Sequence, residues 1–163
     1  MQANIQTDDI DARIISALST DGRRSYAEVG SEVGLSTAAV HERVKKLLDK
    51  GVIRRFSISV EPERVGLSFT AFVAIRNDGG AHCRDIAPRL QAMPEIEELH
   101  SVAGEYDFLA KVRTTHARAL EDVLYQIKAI EGVARTTSTV VLNTEFEDRP
   151  LNLGWMSEDR NAA

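Results

Sequence analysis

The sequence predicts an α+β protein made of two modules, a helical front and a sheet-and-helix back. Three observations predict it. Up to about residue 60, apolar residues recur at helical spacing between capping residues and glycines. Beyond that point, β-branched runs alternate with helical ones in the order βαββαβ. The charge divides at the same place. Asp21 to Val60 holds eight basic and five acidic residues, whereas Glu61 to the C-terminus holds eleven basic and seventeen acidic ones. A chain of 163 residues accommodates one average domain or two small ones, but not a large enzyme scaffold.

The first module is expected over residues 1–60. Asp8, Asp9 and Asp11 put negative charge at the start of a helix, where the helix dipole favours it. Ile10, Ile14, Ile15 and Leu18 form that helix's apolar face, and Asp21-Gly22 stops it. Ser25, with Glu28 three residues later, makes a capping box for a short second helix presenting Tyr26, Val29 and Val33. Gly34 ends that helix and Ser36 caps a third. Val40, Val44, Leu47 and Leu48 are expected as the buried stripe of the third helix, and Gly51 ends it. Helix, tight glycine turn and helix make a helix-turn-helix. Val52 to Val60 alternates at Ile53, Phe56, Ile58 and Val60. It is expected as a small wing hairpin or an extended strand carrying Arg54 and Arg55, so the module reads as a winged helix-turn-helix.

This arrangement suits double-stranded DNA. With Val40, Val44 and Leu47 inward, Thr37, Ala38, His41 and Lys45 lie on or near the outward face of the third helix. Ser36, Thr37, Ala38 and His41 stand at its leading end, which in this motif reaches base edges. Small residues there permit close approach, and His41 can donate to or accept from a base. Arg43, Lys45, Lys46, Arg54 and Arg55 are placed for phosphates, contacts that position a helix without reading sequence. Glu42 can pair with Lys45 or Lys46 along the helix. The structural alternative is a three-helix packing unit whose cations are a solvated face.

The second module is expected over residues 61–142. Leu67 to Ile75 is a strand, apolar enough that both its faces should be covered. After the loop Asn77-Asp78-Gly79-Gly80, Ala81 to Met93 carries Ile86, Leu90 and Met93 at helical spacing. Pro88 marks either a kink or a late helix start. Ile96 to Val102 and Phe108 to Val112 make a hairpin across Gly104-Glu105-Tyr106-Asp107. Ala117 to Ile130 is a helix with Leu120, Val123, Leu124 and Ile127 on its core face, and Val133 to Leu142 is the last strand. This βαββαβ order is the ferredoxin-like arrangement. Residues 143–163, with Pro150, Trp155 and seven charged residues, read as a tail that packs Leu151, Leu153 and Trp155 on a neighbour.

Several classes are set aside. The longest mainly apolar stretch, Val65 to Ile75, falls short of the roughly 20 residues a membrane-spanning helix needs. The N-terminus shows no basic and then apolar leader. Cys83 is the only cysteine, which excludes an intrachain disulfide and a thiolate zinc cage. These features lead to the expectation of a cytoplasmic protein with no membrane partner. His41, His82, His100 and His116 are scattered, and the pair His82-Cys83 supplies too few ligands for a closed metal site. Glu98 and His100 share a strand face from which Ser101 points away, so they form no triad. No phosphate loop or dinucleotide fingerprint is present, and no cofactor is expected.

Taken in order, the run from Ile10 to Ile53 resembles the N-terminal half of the Lrp/AsnC, or feast/famine, transcription regulators. The matching elements are Ile10-Asp11, Leu18 with Asp21-Gly22-Arg23, Val33-Gly34-Leu35-Ser36, Arg43-Val44 with Leu47, and Gly51-Val52-Ile53. The back half matches too. His100 to Val112 resembles the family's effector-domain hairpin, and Ile130 to Leu142 resembles its last strand. The resemblance covers about Asp8 to Leu142. One departure concerns DNA sequence preference: Ala38-Ala39-Val40 stands where many members carry a Pro-Thr-Pro-Cys-like run.

The resemblance implies a RAM-type effector domain, dimers formed through the C-terminal sheets, and larger rings, commonly octamers. It also implies a small effector, usually an amino acid, bound near Gly104, Glu105, Tyr106 and Asp107 and the facing strand. The chemistry is apt. Asp107 or Glu105 can receive an ammonium, while the Gly104 turn and the hydroxyls of Thr136 and Ser138 can receive a carboxylate. Strand parity pairs Thr136 with Ser138 and sets Thr137 and Thr139 on the opposite face, without saying which pair lines the pocket. Two other readings share the architecture. Sirohaem decarboxylases resemble it, but would need basic and histidine residues around a tetrapyrrole cleft. An oligomeric ligand-binding module that has lost its DNA-reading surface is the other.

Overall fold

The computed structural model describes residues 7–80 and 83–153. Contacts gather these into two compact units. One runs to Ser59 and includes the segment from Phe146 on; the other runs from Val60 to Glu145.

The first unit holds three helices, α1 (Asp9–Thr20), α2 (Tyr26–Val33) and α3 (Thr37–Asp49). Each begins where a side chain meets a free backbone amide. Asp8 accepts from the Asp11 amide at 2.7 Å. Ser25 and Glu28 close a reciprocal capping box, and Ser36 accepts from the Ala39 amide at 3.2 Å. Ile14, Leu18, Val29, Val33, Val40 and Val44 bury one common core, each contributing about 1.5–3 kcal/mol by leaving water. The turn between α2 and α3 depends on two glycines. Gly34 takes φ +77°, the left-handed conformation that ends a helix. At Gly30 a Cβ would stand 2.5 Å from the Leu35 carbonyl oxygen, so only glycine lets the turn close.

Two expectations for this unit are corrected. Leu48 is exposed rather than part of the buried stripe, because only Val40, Val44 and Leu47 of α3 face the core. The segment 52–60 forms neither a wing hairpin nor a strand. Val52 and Ile53 donate to the Leu47 carbonyl and close the end of α3, and beyond them Ile58 is 83% exposed. A strand needs a ladder partner for its amides and carbonyls, and this run has none among the described residues. From the tail, Arg149 stacks over the Phe146 ring at 3.9 Å and the Ser59 hydroxyl donates to Asp148 at 3.0 Å. Leu151 is exposed, and the expected packing of Trp155 falls outside the described residues.

The second unit is a four-stranded antiparallel sheet in the order β2-β3-β1-β4. Its strands are β1 (Phe69–Asn77), β2 (Ile96–Ser101), β3 (Phe108–Thr114) and β4 (Val133–Val140), with α4 (Cys83–Gln91) after β1 and α5 (Ala117–Lys128) after β3. This is the expected βαββαβ topology. Ala71, Val73 and Ile75 of β1 pack with Ile86 and Leu90 of α4 and with Leu120, Val123 and Ile127 of α5. Pro88 lies inside α4 without ending it. Of the two faces of β1 expected to be covered, the chain itself covers one. The helices pack on the face that carries Ala71, Val73 and Ile75, while Phe72 on the other face is 40% exposed. No described helix is long and apolar enough to cross a membrane.

Candidate functional sites

The outward side of α3 gathers most of the residues expected to meet DNA. Ser36, Thr37, Ala38, His41, Lys45 and Lys46 are exposed, as are Arg54 and Arg55 in the segment that follows. The fold forces this exposure: with Val40, Val44 and Leu47 sealed inside, the residues between them turn to solvent. Two neighbours set the His41 ring. The Tyr26 ring meets it edge-on, with centroids 5.9 Å apart, and Glu42 lies 3.9 Å from its Nδ1. Glu42 therefore neighbours His41, where the sequence suggested Lys45 or Lys46. Tyr26 was legible only as a core residue, because nothing in the spacing shows that its ring meets α3.

Arg43 differs from the other cations. Its guanidinium lies 2.7 Å from Asp8 and 2.7 Å from Asp11, tying α3 to the start of α1. These two hydrogen-bonded carboxylates hold Arg43 above its ordinary pKa. Partial burial alone would raise the Asp8 carboxyl, but the Asp11 amide and Arg43 together draw it below its ordinary value. Arg43 is thus tied into the scaffold of the unit, while the other expected phosphate contacts stand exposed. The acidic run at Asp8–Asp11 signalled a helix start in the sequence; its second use as an anchor for Arg43 needed the fold.

In the second unit, the loop after β2 brings several expected effector residues together. Gly104 takes φ +155°, and Glu105 is exposed at the tip. The Tyr106 hydroxyl donates to Thr137 of β4 at 3.3 Å. Asp107 turns inward, and its Oδ2 accepts from the Asn77 amide at 2.8 Å. Thr136 and Ser138 pair with Ile75 and Val73, so they belong to the helix-covered face, opposite to the one where Tyr106 meets Thr137. The structure therefore joins Tyr106 to the alternative parity set. Asn77 was not legible as part of the site, because its link to Asp107 spans 30 residues. On β2, His100 lies 3.4 Å from Glu98 and pairs with Leu109, while Ser101 pairs with the buried Phe108. That divides the three residues between two faces. Among the described residues no group of three or more His, Cys, Asp or Glu could hold a metal ion.

A helix-turn-helix with an exposed, cation-bearing third helix, followed by a four-stranded α+β unit with a polar hairpin loop, defines a two-domain DNA-binding regulator. Residues 8–48 match the AsnC-type helix-turn-helix domain, and residues 70–151 match the Lrp/AsnC ligand binding domain. The chain belongs to the Lrp/AsnC family of transcriptional regulators. It is 41% identical to the HTH-type transcriptional regulator LrpA of Mycobacterium tuberculosis, over 90% of this chain and 97% of that one. Among solved structures, the feast or famine regulatory protein of M. tuberculosis complexed with L-methionine is 42% identical, with a TM-score of 0.82, covering 87% of this chain and 96% of that one. A transcriptional regulator from Neisseria meningitidis in complex with L-methionine is 27% identical, with a TM-score of 0.85, covering 93% of this chain and 99% of that one.

Proposed function

We propose that this regulator presents α3 to the major groove of double-stranded DNA and adjusts its binding or assembly to an amino acid held at the 104–107 loop. The observation that carries the reading is the outward face of α3. Ser36, Thr37, Ala38 and His41 leave its leading end free of bulk, and Lys45 and Lys46 follow as exposed cations. Arg54 and Arg55 extend the phosphate-facing set. In the effector loop, Glu105 offers an exposed carboxylate to an ammonium, and the Gly104 turn offers backbone amides to a carboxylate. The two relatives crystallised with L-methionine make that amino acid the first candidate. The half-exposed sheet face around Phe72 and Leu109 supports pairing of two copies, with octamers as the larger assembly implied by the family. Such a protein acts in the compartment that holds the DNA, the cytoplasm of a bacterial or archaeal cell, and performs no catalysis.

The test is fluorescence anisotropy on DNA upstream of the protein's own gene, with excess nonspecific competitor, repeated with each amino acid. Specific binding altered by one amino acid is the expected result. Binding that no amino acid alters would remove the effector half of the proposal. Loss of all specific binding on a randomised DNA pool would remove the DNA half.

A further inference from the structure

Asp107 has a carboxylate of the kind that pairs with an amino-acid ammonium, yet the fold already uses it. Its amide donates to the Ile75 carbonyl at 2.9 Å, and its carbonyl accepts from the Val102 amide at 3.0 Å, closing the loop. Its Oδ2 accepts from the Asn77 amide at 2.8 Å. Its Oδ1 lies 3.9 Å from the Cys83 thiol, and the Asn77 side chain reaches the same sulfur at 3.5 Å. Asn77 sits where the β1–β4 register shifts, between Arg76 and Asn77. At such an irregularity a strand amide leaves the ladder and must find another acceptor. The ladder-like contact resumes one residue on, where the Asp78 amide donates to the Gly132 carbonyl at 2.9 Å.

We infer that Asp107 is a positioning residue for the effector loop, acting as a hydrogen-bond acceptor and not as the counter-ion of the ligand. It fastens the base of the 102–107 loop to the end of β1, while the neighbouring Tyr106 fastens the same loop to β4 through Thr137. Between these anchors and Val102, the tip at Gly104 and Glu105 is held for a ligand. The role rests on the proposed effector site, but it makes a separate demand: the position needs an acceptor oxygen, and it does not need a charge. An asparagine meets that demand. Its carbonyl oxygen accepts from the Asn77 amide, and its NH2 group faces the Cys83 sulfur, a weak acceptor.

The experiment compares full-length wild type with Asp107→Asn and Asp107→Ala. Calorimetric titration with L-methionine, and then with the other proteinogenic amino acids, reads ligand binding. Amide hydrogen exchange at Asn77 in the ligand-free protein reads the anchor itself. Asp107→Asn is expected to bind within about twofold of wild type, with Asn77 still protected. Asp107→Ala is expected to bind about tenfold or more weakly, with Asn77 exchange about tenfold or more faster, the scale of a part-buried amide left without its acceptor. Should Asp107→Asn bind as weakly as Asp107→Ala while Asn77 stays protected, the charge itself contacts the ligand and the inference is overturned. Unchanged Asn77 exchange in Asp107→Ala overturns it as well. A wild type that binds no amino acid defeats the proposed effector function instead, and the exchange comparison still decides the role of Asp107.

Discussion

The helix starts of the helical unit are set by bonds that reach three residues along the chain, and the loop of the sheet unit by bonds that reach thirty or so. Asp8–Asp11, Ser25–Glu28 and Ser36–Ala39 each span three positions. Asn77–Asp107 spans 30 and Tyr106–Thr137 spans 31. The difference shows in what each unit offers outward. Short bonds fix where the helices begin, and amphipathic spacing then decides which side chains reach solvent. The sheet gathers its loop from the ends of three strands, so the loop's shape depends on pairing that no local stretch encodes. Arg43 crosses between these regimes. It lies in the local, helical unit, yet its partner Asp8 is 35 positions away.

The contrast breaks most sharply at Gly30. A methyl there meets the Leu35 carbonyl oxygen, a backbone atom that cannot move without opening the turn between α2 and α3. Gly30→Ala is expected to destabilise the helical unit by about 1–3 kcal/mol, the usual cost of overpacking. Amide hydrogen exchange resolves the two units. Protection should fall in α2 and α3 and stay at the wild-type level in β1 and β3. Equal losses in both units would show that they do not hold their stability separately.

A smaller effect tests the long-range tie between α3 and the start of α1. Arg43→Met keeps the aliphatic stem and removes the charge that Asp8 and Asp11 share. The groups are partly solvated, so the cost at neutral pH is expected to be about 1 kcal/mol or less. Its pH dependence has a definite sign. Asp8 is held below its ordinary value of 3.8, so its contribution is complete above that pH. It disappears as pH falls through the lower, folded-state value. Wild type and Arg43→Met should therefore differ in chemical-denaturant midpoint at pH 7 and converge in acid. A gap that fails to shrink as pH falls below 3.8 would exclude Asp8 as the source.

What the sequence revealed follows the same division. All three helix starts of the first unit were legible, the first from its cluster of acids and the other two from a capping serine, because each signal lies within one turn. The βαββαβ order was legible because alternating period and glycine punctuation mark each element. Leu48 was misread because helical spacing gives a stripe without saying how wide the core beneath it is. The segment 52–60 was misread because alternation marks a strand's faces and says nothing about a ladder partner. At the loop, Gly104 to Asp107 could be found from the turn residues. That Asp107 turns to Asn77, and Tyr106 to Thr137 rather than toward Thr136 and Ser138, follows from strand register, which residue types alone leave open.

The smallest expected effect separates two cations two residues apart on α3. Lys45 is exposed, whereas the guanidinium of Arg43 is bound to Asp8 and Asp11. A cation that neutralises a DNA phosphate releases condensed counterions, so each such contact adds about 0.9 to the slope of log K against log salt. Lys45→Ala is expected to weaken binding uniformly across DNA sequences and to lower the magnitude of that slope by about 1. Arg43→Met should lower affinity only as far as it destabilises the helical unit, with the slope unchanged. Anisotropy titrations of both variants across a salt series measure the two slopes directly. If Arg43→Met flattens the slope as much as Lys45→Ala, Arg43 leaves its carboxylates on the DNA, and the bond that spans the helical unit is a switch rather than a brace.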